Sequence, residues 1–171
     1  MSDIRRPAGP RITPQSAADL MTAAQRATIE NLASELEASR AGAVLLAGAA
    51  GTPAMSAAEG LAASLGASVV RVDLEAVVSK YLGETEKHLD AVFKDAERAD
   101  AVLLMDEADA LLGRRTGVKD AHDRYANLDM SALLARIEAY PGLVLLATNT
   151  TATVDPAKIR RLRRVIDYPP R

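Results

Sequence analysis

The stretch AVLLAGAAGTPAMSAAEGLAASLG, residues 43–66, decides the fold. AVLLAG (43–48) is a continuous apolar run bounded by Gly42 and Gly48. A strand buried on both faces reads this way because no side of it has to meet water, and such strands belong to parallel sheets. Gly48 and Gly51 then mark a turn, and an alanine-rich helix follows as far as Gly66. Strand, glycine turn and helix together make the opening unit of an α/β sheet.

Working outward, the same alternation repeats. Upstream, MSDIRRPAGPRITP (1–14) holds three prolines, one glycine and three arginines and reads as a flexible arm, with the core domain expected over 15–171. Pro14-Gln15-Ser16 opens a helix expected to run to about Arg40, with Leu20, Ala24, Ala27, Leu32 and Leu36 near helical spacing. Downstream, SVVRVDL (68–74), AVLLMDE (101–107), LVLLATN (143–149) and RVIDY (164–168) read as strands. Between them lie an amphipathic helix, ETEKHLDAVFKDAERA (84–99), a polar loop, RRTGVKDAHDRYAN (114–127), and a helix, LDMSALLARIEAY (128–140), stopped by Pro141-Gly142. DPAKIRRL (155–162) is a short helix with Asp155 as its cap and Pro156 at its first position. Strands separated by helices pair in parallel through right-handed crossovers. The prediction is an α/β fold, a three-layer α/β/α doubly wound parallel sheet of about five strands with an N-terminal helix.

Composition narrows the function. Hydrophobic residues make up 49% with one Phe and no Trp, so the core is aliphatic. A net charge of −2 supplies no field toward nucleic acid or an anionic membrane. No apolar run approaches the roughly 18 residues of a membrane span, and the first residues show no signal-peptide pattern. The absence of Cys excludes disulfides and thiolate metal sites and is compatible with a reducing cytoplasm, the compartment expected here. His88 and His122 have no carboxylate or Cys partner set in the sequence and read as surface residues.

In doubly wound sheets ligands sit at the carboxyl ends of the strands. Three features converge there. The glycine turn falls in the register of a phosphate-binding P-loop, G-x-x-x-x-G-K-[ST], as Gly48-Ala49-Ala50-Gly51-Thr52-Pro53-Ala54-Met55. In that pattern glycines let backbone amides wrap the phosphates, lysine neutralises their charge and the hydroxyl binds Mg²⁺. Here Pro53 replaces the second glycine and has no amide hydrogen to donate. Ala54 replaces the lysine and Met55 the hydroxyl, while Ser56 comes one place late, about 100° around the helix. Taken alone the segment also reads as an ordinary glycine turn before a helix. The second feature, Asp106-Glu107, suits an acid holding Mg²⁺ through water beside one polarising the attacking water, or two solvated acids at a helix start. The third, Asn149, suits a polar amide orienting that water, or a turn asparagine.

Taken together these motifs resemble a known family. From about Ile12 to Pro169 the chain is similar to bacterial AAA+ ATPases, and VDLEAVVSKYLGETEKHLDAVF (72–93), LLMDEADALLGRR (103–115), VKDAHDRYANLDMSALLARIEAY (118–140) and LVLLATN (143–149) look like one branch of them. Members of that branch occur in varied gene clusters, including those for phage-tail-like contractile injection particles. The resemblance implies ATP or ADP with Mg²⁺ as cofactors, a protein partner or substrate, and a homo- or hetero-oligomeric ring. Residue by residue, it implies that Asp106 and Glu107 are the Walker B pair, with Asp106 holding Mg²⁺ through water, and that Asn149 is sensor 1. It also implies that Tyr81-Leu82-Gly83 is a pore loop, and that Arg160 and Arg161 reach a neighbouring subunit's ATP. Tyr81 covering the sheet edge, and the arginine run 160–164 as a solvated basic face, are the plain alternatives. Arg114, Arg115 and Arg124 fall in the family's signature loop with no mechanism attached. The family continues into a small helical lid, which is expected to be absent here.

Three functions follow from these residues. The first is a nucleotide-binding subunit with impaired or absent hydrolysis, favoured by the missing lysine. The second is an active ATPase remodelling or assembling proteins, and the third a nucleotide-free interaction scaffold.

Overall fold

The computed structural model describes residues 19–73, 84–113, 130–152 and 154–170. Within them, β1 (Gly42–Ala47), β2 (Val69–Val72), β3 (Val102–Met105), β4 (Leu143–Thr148) and β5 (Arg164–Asp167) form one sheet in the order β2-β3-β4-β1-β5, every pair parallel. The helices are α1 (Ala23–Leu36), α2 (Thr52–Ser64), α3 (Glu84–Arg98), α4 (Asp109–Leu112), α5 (Met130–Ala139) and α6 (Pro156–Ile159).

The period of two along each strand divides the core into two layers. Leu45, Leu103, Met105, Val144 and Leu146 pack on one face with Phe93 of α3, Leu112 of α4 and Ile137 of α5. Val44, Leu46, Leu104 and Leu145 pack on the other with Leu32 and Leu36 of α1 and Ala57 and Leu61 of α2. Leu45, Leu46, Leu103, Leu104 and Leu61 are fully buried. Each such leucine contributes about 1.5–3 kcal/mol relative to exposure, which explains how a core with almost no aromatics holds. This is the three-layer α/β/α sheet expected from the alternation.

Several element ends differ from the sequence reading, among them the helix expected over 155–162, which ends at Ile159, and one helix was not foreseen. The N-terminal helix was expected to be continuous from Pro14 to about Arg40. Residues 14–18 lie outside the described residues, and α1 starts afresh at Ala23 and ends at Leu36. The reason is a capping box: Thr22 is extended (ψ 165°), its hydroxyl accepts from the Gln25 amide at 3.2 Å, and the Gln25 side chain accepts from the Thr22 amide at 2.9 Å. The strands expected to include Asp106-Glu107 and Asn149 stop at Met105 and Thr148, so these polar residues leave the ladder and stand at the carboxyl edge. The four-residue α4 is too short to show a period.

Candidate functional site at the carboxyl edge of the sheet

β1 leads straight into the glycine turn. Gly48 has φ +91°, and a Cβ there would come to 3.0 Å from the Tyr168 carbonyl oxygen, so a side chain would be both strained and crowded. Its amide donates to the Thr148 carbonyl at 2.8 Å, which ties the turn to the end of β4. Gly51, φ +65° and ψ −130°, turns the chain into α2, whose first internal bond runs from the Met55 amide to the Gly51 carbonyl at 3.1 Å. The amides of Thr52 and Ala54 are therefore orphan donors at the helix start, the arrangement that favours anions, and Pro53 between them has no hydrogen to give. Ala54 is 0% exposed, its methyl packed in the α1–α2 layer, and Met55 is half-buried against the same layer. Ser56 is buried as well.

The turn arches over the end of β4 to reach β3. The Gly51 amide donates to both oxygens of Asp106, at 3.0 and 3.3 Å, and the Glu107 amide donates to Oδ1 at 2.9 Å. Arg71 of β2, which faces Leu104 in the β2–β3 register, brings a guanidinium nitrogen to 3.3 Å from Asp106 Oδ2. Asp106 is buried, whereas the Arg71 side chain is 55% exposed. Glu107 is exposed at φ +55°, a left-handed conformation that costs a non-glycine residue about 1–2 kcal/mol. Backbone strain of this kind collects at functional sites. Behind it the Ala108 amide donates to the Ala147 carbonyl at 2.8 Å, and the single hydrogen of the buried Thr148 hydroxyl lies within reach of the Asp109 carboxylate and the Thr150 carbonyl. Asn149 follows, exposed.

The structure thus brings Gly48–Met55, Asp106, Glu107 and Asn149 to one edge. Arg160 and Arg161 lie beyond α6 and behave differently from each other. Arg161 forms a two-pronged pair with Glu138 of α5, both bonds 2.7 Å. That hydrogen bonding holds the Glu138 carboxyl below the usual carboxylate range and pushes the Arg161 guanidinium up. Arg163 donates to the carbonyls of Ser39 and Ala41, and Arg164 pairs with Glu35. Arg160 is exposed, and its side chain records no partner among the described residues. Tyr81, Leu82, Gly83, Arg114, Arg115, His122 and Arg124 lie outside the described residues. Sequence reading missed Arg71. Its one signal, a charge inside the apolar strand VVRV, becomes meaningful only once β2 is known to lie beside β3.

Glycines with positive φ and the orphan amides of α2 fit a phosphate chain. At the positions of Met55 and Asp106 the same edge offers no free direct ligand to Mg²⁺, a hard cation that requires oxygen ligands. Met55 offers a thioether, and both Asp106 oxygens already accept from two amides and a guanidinium. Among the described residues there is no cluster of three His, Cys, Asp or Glu that would hold a metal.

Residues 44–170 match the family described as ATPase family associated with various cellular activities (AAA). The chain is 33% identical over 133 residues to the 26S proteasome subunit RPT4 of Saccharomyces cerevisiae, covering 74% of this chain and 30% of that protein. It is 33% identical over 133 residues to the proteasome-activating nucleotidase of Aeropyrum pernix, covering 74% and 32%. It is 35% identical over 132 residues to the cell division cycle protein 48 homolog of Archaeoglobus fulgidus, covering 74% and 18%. The chain spans about a third or less of the length of these curated relatives. At the level of the family an ATPase domain implies nucleotide and Mg²⁺. With a five-stranded parallel sheet, a glycine turn into α2 and paired acids after β3, the chain belongs to the AAA family of ATPases.

Proposed function

We propose that this chain is the nucleotide-binding core of an AAA assembly that holds ATP or ADP and hydrolyses it slowly or not at all, acting through protein partners. One observation carries the reading. At position 54 a methyl group is enclosed in the apolar layer, and Met55 packs beside it, so neither the phosphate-neutralising cation nor the metal-binding hydroxyl comes from α2. A charge-assisted hydrogen bond contributes about 1.5–3 kcal/mol, and losing one aimed at a developing charge costs the reaction step more than it costs binding. Binding falls less because Gly48, Gly51 and the amides of Thr52 and Ala54 remain. Asp106, Glu107 and Asn149 are the acids and amide of the site in this reading, and Arg160, whose side chain has no partner among the described residues, is the better candidate to reach a neighbouring subunit. The protein partners, the ring, the pore-loop role of Tyr81-Leu82-Gly83 and a cytoplasmic setting belong to the same proposal. They are supported by relatives named for the proteasome and by the motif order. The branch associated with contractile injection clusters rests on the quoted motifs alone.

Fluorescent-nucleotide binding and phosphate release, measured together, test this. Binding with phosphate release at background is expected, and Ala54→Lys with Met55→Thr is expected to tighten binding about tenfold. Brisk turnover abolished by Glu107→Gln would instead establish an active ATPase. No binding at millimolar nucleotide would leave only the scaffold reading.

A further inference from the structure

The Mg²⁺ mismatch at Asp106 has a positive counterpart in β2. Val70 and Val72 pack toward the α3 layer, so Arg71 between them emerges on the opposite face, the one that carries α2 and the glycine turn. Its guanidinium meets the same Asp106 oxygen that accepts the Gly51 amide. One cation, one buried carboxylate and one amide of the turn therefore share a single point. Of the five guanidinium N–H donors, one is engaged among the described residues, by Asp106, and the side chain is more than half exposed. Among the described residues the remaining donors have no partner, at the edge where a phosphate chain fits.

We infer that Arg71 is the resident cation of this site, balancing Asp106 in place of a divalent metal, and that phosphate-bearing nucleotide binds here without Mg²⁺, gripped by Arg71. This rests on the nucleotide-binding reading above and adds the charge that α2 lacks. A guanidinium suits the task because it stays protonated and forks onto phosphate oxygens while still touching a carboxylate. Magnesium nucleotide, by contrast, meets an Asp106 whose oxygens are taken and a Met55 with no oxygen to offer.

The test titrates the chain with fluorescent ADP and ATP in EDTA and, at matched ionic strength, in Mg²⁺. Affinities within about twofold of each other in the two buffers are expected. Arg71→Ala is expected to weaken binding about tenfold or more in both, with Arg71→Lys recovering part of the loss because it keeps the charge but not the fork. Melting curves check that each variant folds. Should Arg71→Ala fail to fold, Arg71→Lys and the Mg²⁺ comparison still decide. Binding that strengthens more than tenfold with Mg²⁺, or that ignores both Arg71 substitutions, overturns the inference and leaves the nucleotide reading intact. Absence of binding in either buffer overturns the nucleotide reading and the inference with it.

Discussion

One oxygen of Glu59 in α2 is shut off from solvent and has no hydrogen-bond partner, although the residue as a whole is only half-buried. Burial pushes its carboxyl above the ordinary 4.5, because desolvation penalises the charged form. Since the folded value is raised, the folded state holds the proton more tightly than the unfolded chain does. Stability from this group is complete below pH 4.5 and is lost as pH rises through the folded value. Glu59→Gln removes the charge, so it is expected to raise the melting temperature at pH 7. The gain should vanish in melting curves run below pH 4.5. An equal shift at both pH values would mean that packing, not ionisation, sets the effect. The sequence shows a glutamate on an alanine-rich helix; only the folded structure shuts one of its oxygens off from water.

At the scale of the element, α1 is defined by its cap more than by its apolar spacing. Leu20 and Ala24 fit one long helical stripe, yet the Thr22–Gln25 box breaks the stripe between them. The box was legible as Thr-x-x-Gln, and periodicity alone read past it. Gln25 has a further task, donating to the Pro169 carbonyl at 2.8 Å and so tying α1 to the segment after β5. Thr22→Ala is expected to cost about 1 kcal/mol, read as a lower denaturant midpoint with unchanged slope. An unchanged midpoint would mean that Gln25 holds the helix start unaided. The strand ends carry the same lesson. Asp106 and Asn149 continue apolar runs in the sequence, but the ladders stop before them, at Met105 and Thr148.

At the scale of the whole molecule, the arginine run 160–164 is sorted by what surrounds it. Arg161, Arg163 and Arg164 are engaged within the chain, while the side chain of Arg160 has no such partner among the described residues. Arg160→Ala is therefore expected to leave the melting temperature unchanged and to reduce nucleotide-dependent self-association in light scattering. Arg161→Ala is expected to leave the melting temperature almost unchanged, because its pair with Glu138 is exposed and screened by solvent. Equal assembly by wild type and Arg160→Ala would remove Arg160 from the subunit contact. The sequence by itself determined the class of fold, the order of strands and helices along the chain, the glycine turn and the chemistry missing at Ala54 and Met55. These are local facts, written in apolar runs and residue spacing. Only the tertiary structure decided that β2 lies beside β3, that Arg71 meets Asp106 and that Arg160 differs from Arg161. Those pairings join residues 23 to 35 positions apart, and such partners meet only when the sheet is assembled.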